Sequence, residues 1–202
     1  MLTIALPKGR IADETLDRFE KAFGEKFIFE DRKLILEKSG FKFLNVRNQD
    51  VPTYVMHGAA DLGVVGLDVL EEKEYDLIKL LDLKLGRCKV AFGLRAGEKL
   101  NFDKSKITIA TKHEKIAKKF FEEKAMAVEI IKLYGSIELA PLVGLCDCIV
   151  DIVETGETMK QNGLEVGPTI MESSAHLIAN KNSFYAKKDL IFNLKDNIEK
   201  YL

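Results

Sequence analysis

Short apolar runs alternate along the chain with stretches of helical spacing. Leu2 to Leu6 reads as a buried strand that opens, through Pro7-Lys-Gly-Arg10, into a helix whose apolar positions Ala12, Leu16, Phe19 and Phe23 fall on one face. Lys33 to Glu37 and Phe41 to Val46 read as strands joined by a Ser39-Gly40 hairpin turn. Asp50 before Val51-Pro52 signals a helix running to Gly58, and Asp61 to Val65 is again a strand. Further strand-like runs at Leu77 to Asp82, Cys88 to Leu94, Ile107 to Thr111, Val128 to Leu133, Cys148 to Val153 and Glu165 to Met171 alternate with helical segments at His113 to Lys124 and Ile137 to Gly144. Such alternation predicts an α/β fold of parallel sheets covered by helices. Leu190, Ile191, Leu194, Ile198 and Leu202 share one face of a last helix.

One pattern occurs twice. Gly58-Ala-Ala-Asp-Leu-Gly-Val-Val65 parallels Gly144-Leu-Cys-Asp-Cys-Ile-Val-Asp151, 86 positions further on. In each copy a Pro-containing helix precedes the glycine, and a strand follows that leads to another glycine, Gly66 or Gly156, opening a helix. The duplication predicts two similarly built α/β lobes with a central cleft, a usual place for a ligand that both lobes grip. Loop regions near Arg87 to Arg95 and Ser173 to Asn180 are the expected crossings. Lobe one then holds residues 1–90 plus 178–202, and lobe two holds residues 91–177. Two crossings would form a hinge able to close over substrate.

Composition narrows the possible functions. A net charge of -1 over 202 residues argues against a nucleic-acid surface, so any anion site must be built locally. Cys88, Cys146 and Cys148 form neither a disulfide set nor a metal-ligand spacing, and Cys146 and Cys148 read as small core residues in a reducing cytoplasm. The N-terminus lacks a basic leader and no segment is long enough to span a bilayer, which again suggests a cytoplasmic location. His57, His113 and His176 are scattered, without metal spacing, and are expected in structural or surface roles; no metal ligands are assigned. A Gly-x-Ser-x-Gly elbow, a Cys–His motif and a Walker loop are all missing.

The chemistry therefore has to come from anion-binding turns. In Asp151-Ile-Val-Glu-Thr-Gly-Glu-Thr158 a buried strand meets a glycine turn and a helix start, the backbone pattern of a phosphate cradle. Amides around Gly156, flanked by Glu154 and Glu157, can point at an anion, and Thr155 and Thr158 can add hydroxyl donors. Asp151 stands where it could reach sugar hydroxyls or a magnesium ion. Glu138, in the helix entry after Gly135-Ser136, serves either as a second pocket carboxylate or as a first-turn acid complementing the helix dipole. Lys8, Gly9 and Arg10 at a strand end, and Arg32-Lys33 in a turn, supply fixed cations of the kind a polyphosphate needs.

Three long motifs in this order, Leu6-Pro-Lys-Gly-Arg10, Asp50-Val-Pro-Thr-Tyr-Val through Gly66, and Glu138-Leu-Ala-Pro through Asp151 to Met159, resemble the short form of ATP phosphoribosyltransferase, and the likeness spans nearly the whole chain. The resemblance implies a periplasmic-binding-protein-like (type II) topology. It implies transfer of the 5-phosphoribosyl group from phosphoribosyl pyrophosphate to N1 of the adenine of ATP, with Mg2+ shielding the pyrophosphate, as the first step of histidine biosynthesis. It places the 5-phosphate on Thr155 to Thr158, the ribose hydroxyls near Glu138 and Asp151, and pyrophosphate or ATP phosphates near Lys8, Arg10 and Arg32. It also implies a regulatory subunit similar to histidyl-tRNA synthetase, in a hetero-octamer. The chain departs from the family pattern at His113, where Tyr is frequent, and at Cys146 and Cys148, where small residues such as Ala are usual. The alternative reading is a bilobal small-anion binding module without catalysis, which the fold alone would equally serve.

Overall fold

Strand β1 (Leu2–Pro7) is buried along nearly its whole length, because both faces of the sheet it centres are covered. Ile4 and Leu6 pack with Leu16 and Phe19 of α1 (Arg10–Phe23) and with Ile191 and Leu194 of α8 (Lys188–Glu199). Ala5, on the opposite face, packs with Val51 and Val55 of α2 (Val51–Met56) and Val69 of α3 (Leu67–Lys73). A strand covered on both faces reads as a continuous apolar run. The sheet order is β2 (Ile35–Lys38), β3 (Phe41–Val46), β1, β4 (Leu62–Gly66), β11 (Ala175–Ala179) and β5 (Ile78–Asp82). Phe19 adds edge-on contacts to Phe41 and Phe43, with ring centroids 5.4 and 5.1 Å away.

A second sheet runs β10 (Leu164–Ser173), β6 (Cys88–Arg95), β9 (Cys148–Val153), β7 (Ile107–Thr111) and β8 (Val128–Lys132). Ile116 and Phe121 of α4 (Glu114–Glu122) pack on one of its faces. Ala140 of α5 (Leu139–Leu142) and Met159 of α6 (Glu157–Gln161) pack on the other. The computed structural model describes residues 1–202 and divides into two compact units, Met1–Gly86 with Ser174–Leu202, and Arg87–Ser173. The helix α7 (Lys181–Ala186) belongs to the first. No helix is long and apolar enough to cross a membrane.

Several expectations need correction. The sheets are mixed instead of parallel: β11 runs antiparallel to β4 and β5, and β6 runs antiparallel to β9 and β10. Ser173 to Asn180, read only as a crossing loop, is largely the strand β11, whereas Cys88 to Leu94 forms β6 as its strand-like run predicted, and the units divide after Gly86 and Ser173 where boundaries after residues 90 and 177 were expected. Each strand stays whole in the sheet whose ladder satisfies its backbone groups. The segment read as a helix from Ile137 to Gly144 contains a single turn, α5.

The duplicated pattern corresponds to one repeated hydrogen-bond device. Asp61 donates its backbone N–H to the Thr3 carbonyl at 2.8 Å, and its Oδ2 accepts the Thr3 N–H at 2.9 Å. Asp147 donates to the Thr108 carbonyl at 2.8 Å, and its Oδ2 accepts the Thr108 N–H at 2.8 Å. Upstream, the glycine N–H closes the helix on Val55 in one copy and on Pro141 in the other, with φ of 71° at Gly58 and 75° at Gly144. Each aspartate thus pairs both the N–H and the carbonyl of one threonine on the neighbouring parallel strand and sets the register of the strand it begins.

Asp61 is almost fully buried and also holds Lys187 Nζ at 2.7 Å and Ser183 Oγ at 2.7 Å, tying the C-terminal helices to β1. Burial raises its pKa, but the hydrogen bonds from Lys187, Thr3 and Ser183 together outweigh that and hold it below the ordinary aspartate value. A carboxylate with a lowered folded pKa adds stability that is complete above its unfolded value, about 3.9, and is lost as the pH falls through the folded value. Asp61→Ala is therefore expected to cost about 2 kcal/mol at neutral pH, because it leaves the Thr3 N–H without its acceptor and removes the partner of Lys187, whose side chain is 37% exposed. In a urea-unfolding series from pH 7 to 2 that deficit should shrink below about pH 4; a deficit that does not change with pH would contradict the assignment.

Candidate active site

The parallel pairing of β7 with β9, Ile109 beside Cys148 and Thr111 beside Val150, decides which side chains meet at the ends of these strands. Thr111 Oγ1 donates to the Val150 carbonyl at 2.6 Å and accepts the His113 N–H at 2.8 Å. One step further on, Asp151 Oδ1 lies 3.1 Å from Lys112 Nζ and 3.7 Å from His113 Nε2, and it accepts the Ile152 N–H at 2.8 Å. His113, expected in a structural or surface role, is buried against the carboxylate with its side chain 3% exposed.

Beyond Asp151 the chain leaves β9 and turns at Gly156, whose φ of 81° is left-handed, into α6. A side chain there would be strained by that backbone, and its Cβ would meet Val166 Cγ2 at 2.9 Å. Thr155 Oγ1 accepts the Glu157 N–H at 3.3 Å, and Lys160 donates the first bond back, to the Gly156 carbonyl. The amides of Thr158 and Met159 precede that first bond, where helix N–H groups face outward to anions. Glu138 occupies the N-cap position of α5.

These parts share one pocket of about 320 Å3, lined by Glu138, Asp151, Glu154, Thr155, Gly156 and Thr158 together with Ile152, Val153 and Met159. The volume lies at the small end of the range for ligand sites. Glu157 is the one residue of the proposed loop outside this lining, and its carboxylate accepts Gln161 Nε2 at 3.2 Å. Cys148, at the start of β9, is fully buried, with a thiol that burial pushes up to about 12, and burial likewise raises Cys146. Such thiols are core atoms, not nucleophiles.

The basic candidates lie in the first unit. Lys8 and Gly9 form the exposed turn between β1 and α1, with the Lys8 N–H donating to the Val46 carbonyl at 2.8 Å. Arg10 opens α1 and lies 3.8 Å from Glu14 with its side chain 59% exposed. Arg32 is exposed in the connection before β2, at a left-handed φ of 57°. Sequence reasoning missed Lys112 and His113 as neighbours of Asp151. The available signal was that Thr111-Lys-His follows a strand end, but only the pairing of β7 with β9 gives that meaning.

Comparison with known proteins gives a consistent result. The family profile described as ATP phosphoribosyltransferase matches residues 47–200. An ATP phosphoribosyltransferase from Wolinella succinogenes is 68% identical over 200 residues, covering 99% of this chain and 97% of that protein. The ATP phosphoribosyl transferase (HisG:HisZ) complex from Thermotoga maritima contains a chain that superposes with a TM-score of 0.84 at 34% identity, covering 99% of this chain and 98% of that one. The substrate-binding protein of an amino acid ABC transporter, at 13% identity and a TM-score of 0.61, shares the fold alone.

Gly156→Ala should lower stability by about 1–2 kcal/mol through its left-handed backbone and the Val166 contact. Urea unfolding of the two proteins checks this, and equal stability would mean that the turn relaxes freely.

Proposed function

The chain belongs to the ATP phosphoribosyltransferase family, and from that premise we propose that the pocket at the end of β9 receives the phosphoribosyl donor. The enzyme transfers the 5-phosphoribosyl group of phosphoribosyl pyrophosphate to N1 of the adenine of ATP and releases pyrophosphate, the first step of histidine biosynthesis. The observation that carries the site assignment is the shared pocket, which Glu138, Asp151 and Glu154 line together with a left-handed glycine turn at a helix start. Membership of a transferase family favours this reading over an anion carrier without catalysis.

The attacking nitrogen belongs to the substrate, so the protein needs no nucleophile of its own. Its work is alignment and fixed charge. In the proposed arrangement the amides after Gly156, with the hydroxyls of Thr155 and Thr158, hold the 5-phosphate. Asp151 and Glu138 accept ribose hydroxyls, which fixes the anomeric carbon. Lys8, Arg10 and Arg32 are assigned to the pyrophosphate or ATP phosphates by their motif positions. No three His, Cys, Asp or Glu residues stand together as a metal cage. Of the pocket carboxylates, Glu138 and Asp151 would be the residues to hold an Mg2+ brought by the donor, and the ion would supply shielding of the leaving group's charge.

By likeness to the Thermotoga complex, the chain is proposed to assemble with a regulatory subunit similar to histidyl-tRNA synthetase, in a hetero-octamer that transmits histidine feedback. A cytoplasmic location fits such an assembly.

Mixing the chain with ATP, phosphoribosyl pyrophosphate and Mg2+, with and without a regulatory subunit, should give the absorbance of phosphoribosyl-ATP; no product under either condition would defeat the reading. Arg10→Ala and Arg32→Ala should each lower turnover by about 100-fold, the scale of losing one fixed charge-stabilising group. Stability should fall by less than about 1 kcal/mol, since the Arg10 ion pair is exposed. Losses of activity that merely track losses of thermal stability would remove these residues from the site.

A further inference from the structure

Asp151 is gripped through one oxygen. Its three contacts, the Ile152 N–H, Lys112 Nζ and His113 Nε2, all fall on Oδ1. They differ in what they can enforce. The Ile152 amide is adjacent backbone and moves with Asp151. The Lys112 ammonium ends a flexible side chain that is 41% exposed, which gives weak positional restraint. His113 is different. Its side chain is buried, its N–H is fixed to Thr111 Oγ1 at 2.8 Å, and its carbonyl accepts the Ala117 N–H at 3.1 Å at the start of α4. Thr111 is itself fixed to β9 through the Val150 carbonyl. The imidazole is thus the rigid body against Oδ1. At 3.7 Å it lies beyond hydrogen-bond range and acts by packing.

We propose that His113 is a positioning residue for the donor site: it holds the Asp151 carboxylate in the rotamer that leaves Oδ2 open to a ribose hydroxyl. The inference rests on the assignment of Asp151 to the ribose. His113 does not line the pocket, so its effect runs through Asp151. A hydroxyl must be met at hydrogen-bond distance, and a misplacement of about 1 Å can cost up to about 100-fold.

The test is a double-mutant cycle read by calorimetric titration of phosphoribosyl pyrophosphate with Mg2+, into the chain alone and into its complex with the regulatory subunit. His113→Ala should weaken donor binding about tenfold and leave ATP binding nearly unchanged, while His113→Gln, polar and of similar reach, should recover most of the loss. In the Asp151→Asn background, His113→Ala should add nothing further, so that the coupling equals its whole single effect. Additive losses, or equal losses in ATP and donor binding, would assign His113 to the fold alone and overturn the proposal. If His113→Ala does not fold, the shorter His113→Asn carries the same cycle, with His113→Gln again as the rescue. Should Asp151→Asn leave donor binding unchanged, the ribose assignment falls and the positioning role falls with it. Should Asp151→Asn weaken binding while His113→Ala does not, the positioning role alone falls.

Discussion

The two-way bond between Asp147 and Thr108 is the constraint on which the site depends. It starts β9 in register with β7, and in a strand a slip of one residue turns every side chain to the other face. With that register, Val150 meets Thr111 and Asp151 meets Lys112 and His113. The strand then delivers Glu154 to Thr158 to the turn at Gly156. Burial alone would protonate Asp147 more readily, yet the Lys104 ammonium and the Thr108 amide outweigh burial and keep the carboxylate below its ordinary value. Asp61 and Thr3 repeat the device in the first unit. One solution to seating a buried parallel strand has been used twice.

What this scaffold presents is a site made of backbone and fixed charge. The buried thiols of Cys146 and Cys148 are too weakly acidic to act, and none is needed when the substrate brings its own nucleophile. The exposed loop residues supply donors, whereas the packed residues behind them, Thr111, His113 and Met159, supply rigidity. Rigidity matters more here than in an enzyme with a covalent intermediate, because alignment of two bound polyanions is most of the catalysis.

The parts of this architecture legible in the sequence were those set by local chemistry. The run Cys148 to Val153, the helix spacing of Ala12 to Phe23, the Ser39-Gly40 turn and the Gly58/Gly144 duplication all carry signals within a few residues of themselves. Strand direction was not legible, since a strand covered on both faces is apolar throughout whichever way it runs. The strand β11 was read as a loop because its five residues are justified only by ladders to β4 and β5, about a hundred positions away. The contact of His113 with Asp151 was hidden for the same reason: it follows from a strand pairing, not from spacing.

The central claim is that the loop after β9 holds the phosphoribosyl donor, and amide resonances of the isotopically labelled 22.8 kDa chain titrated with ribose 5-phosphate test it most directly. The largest shifts are expected at residues 155–159, with smaller ones at Glu138 and Asp151. Shifts concentrated elsewhere, with residues 155–159 unmoved at saturation, would contradict it.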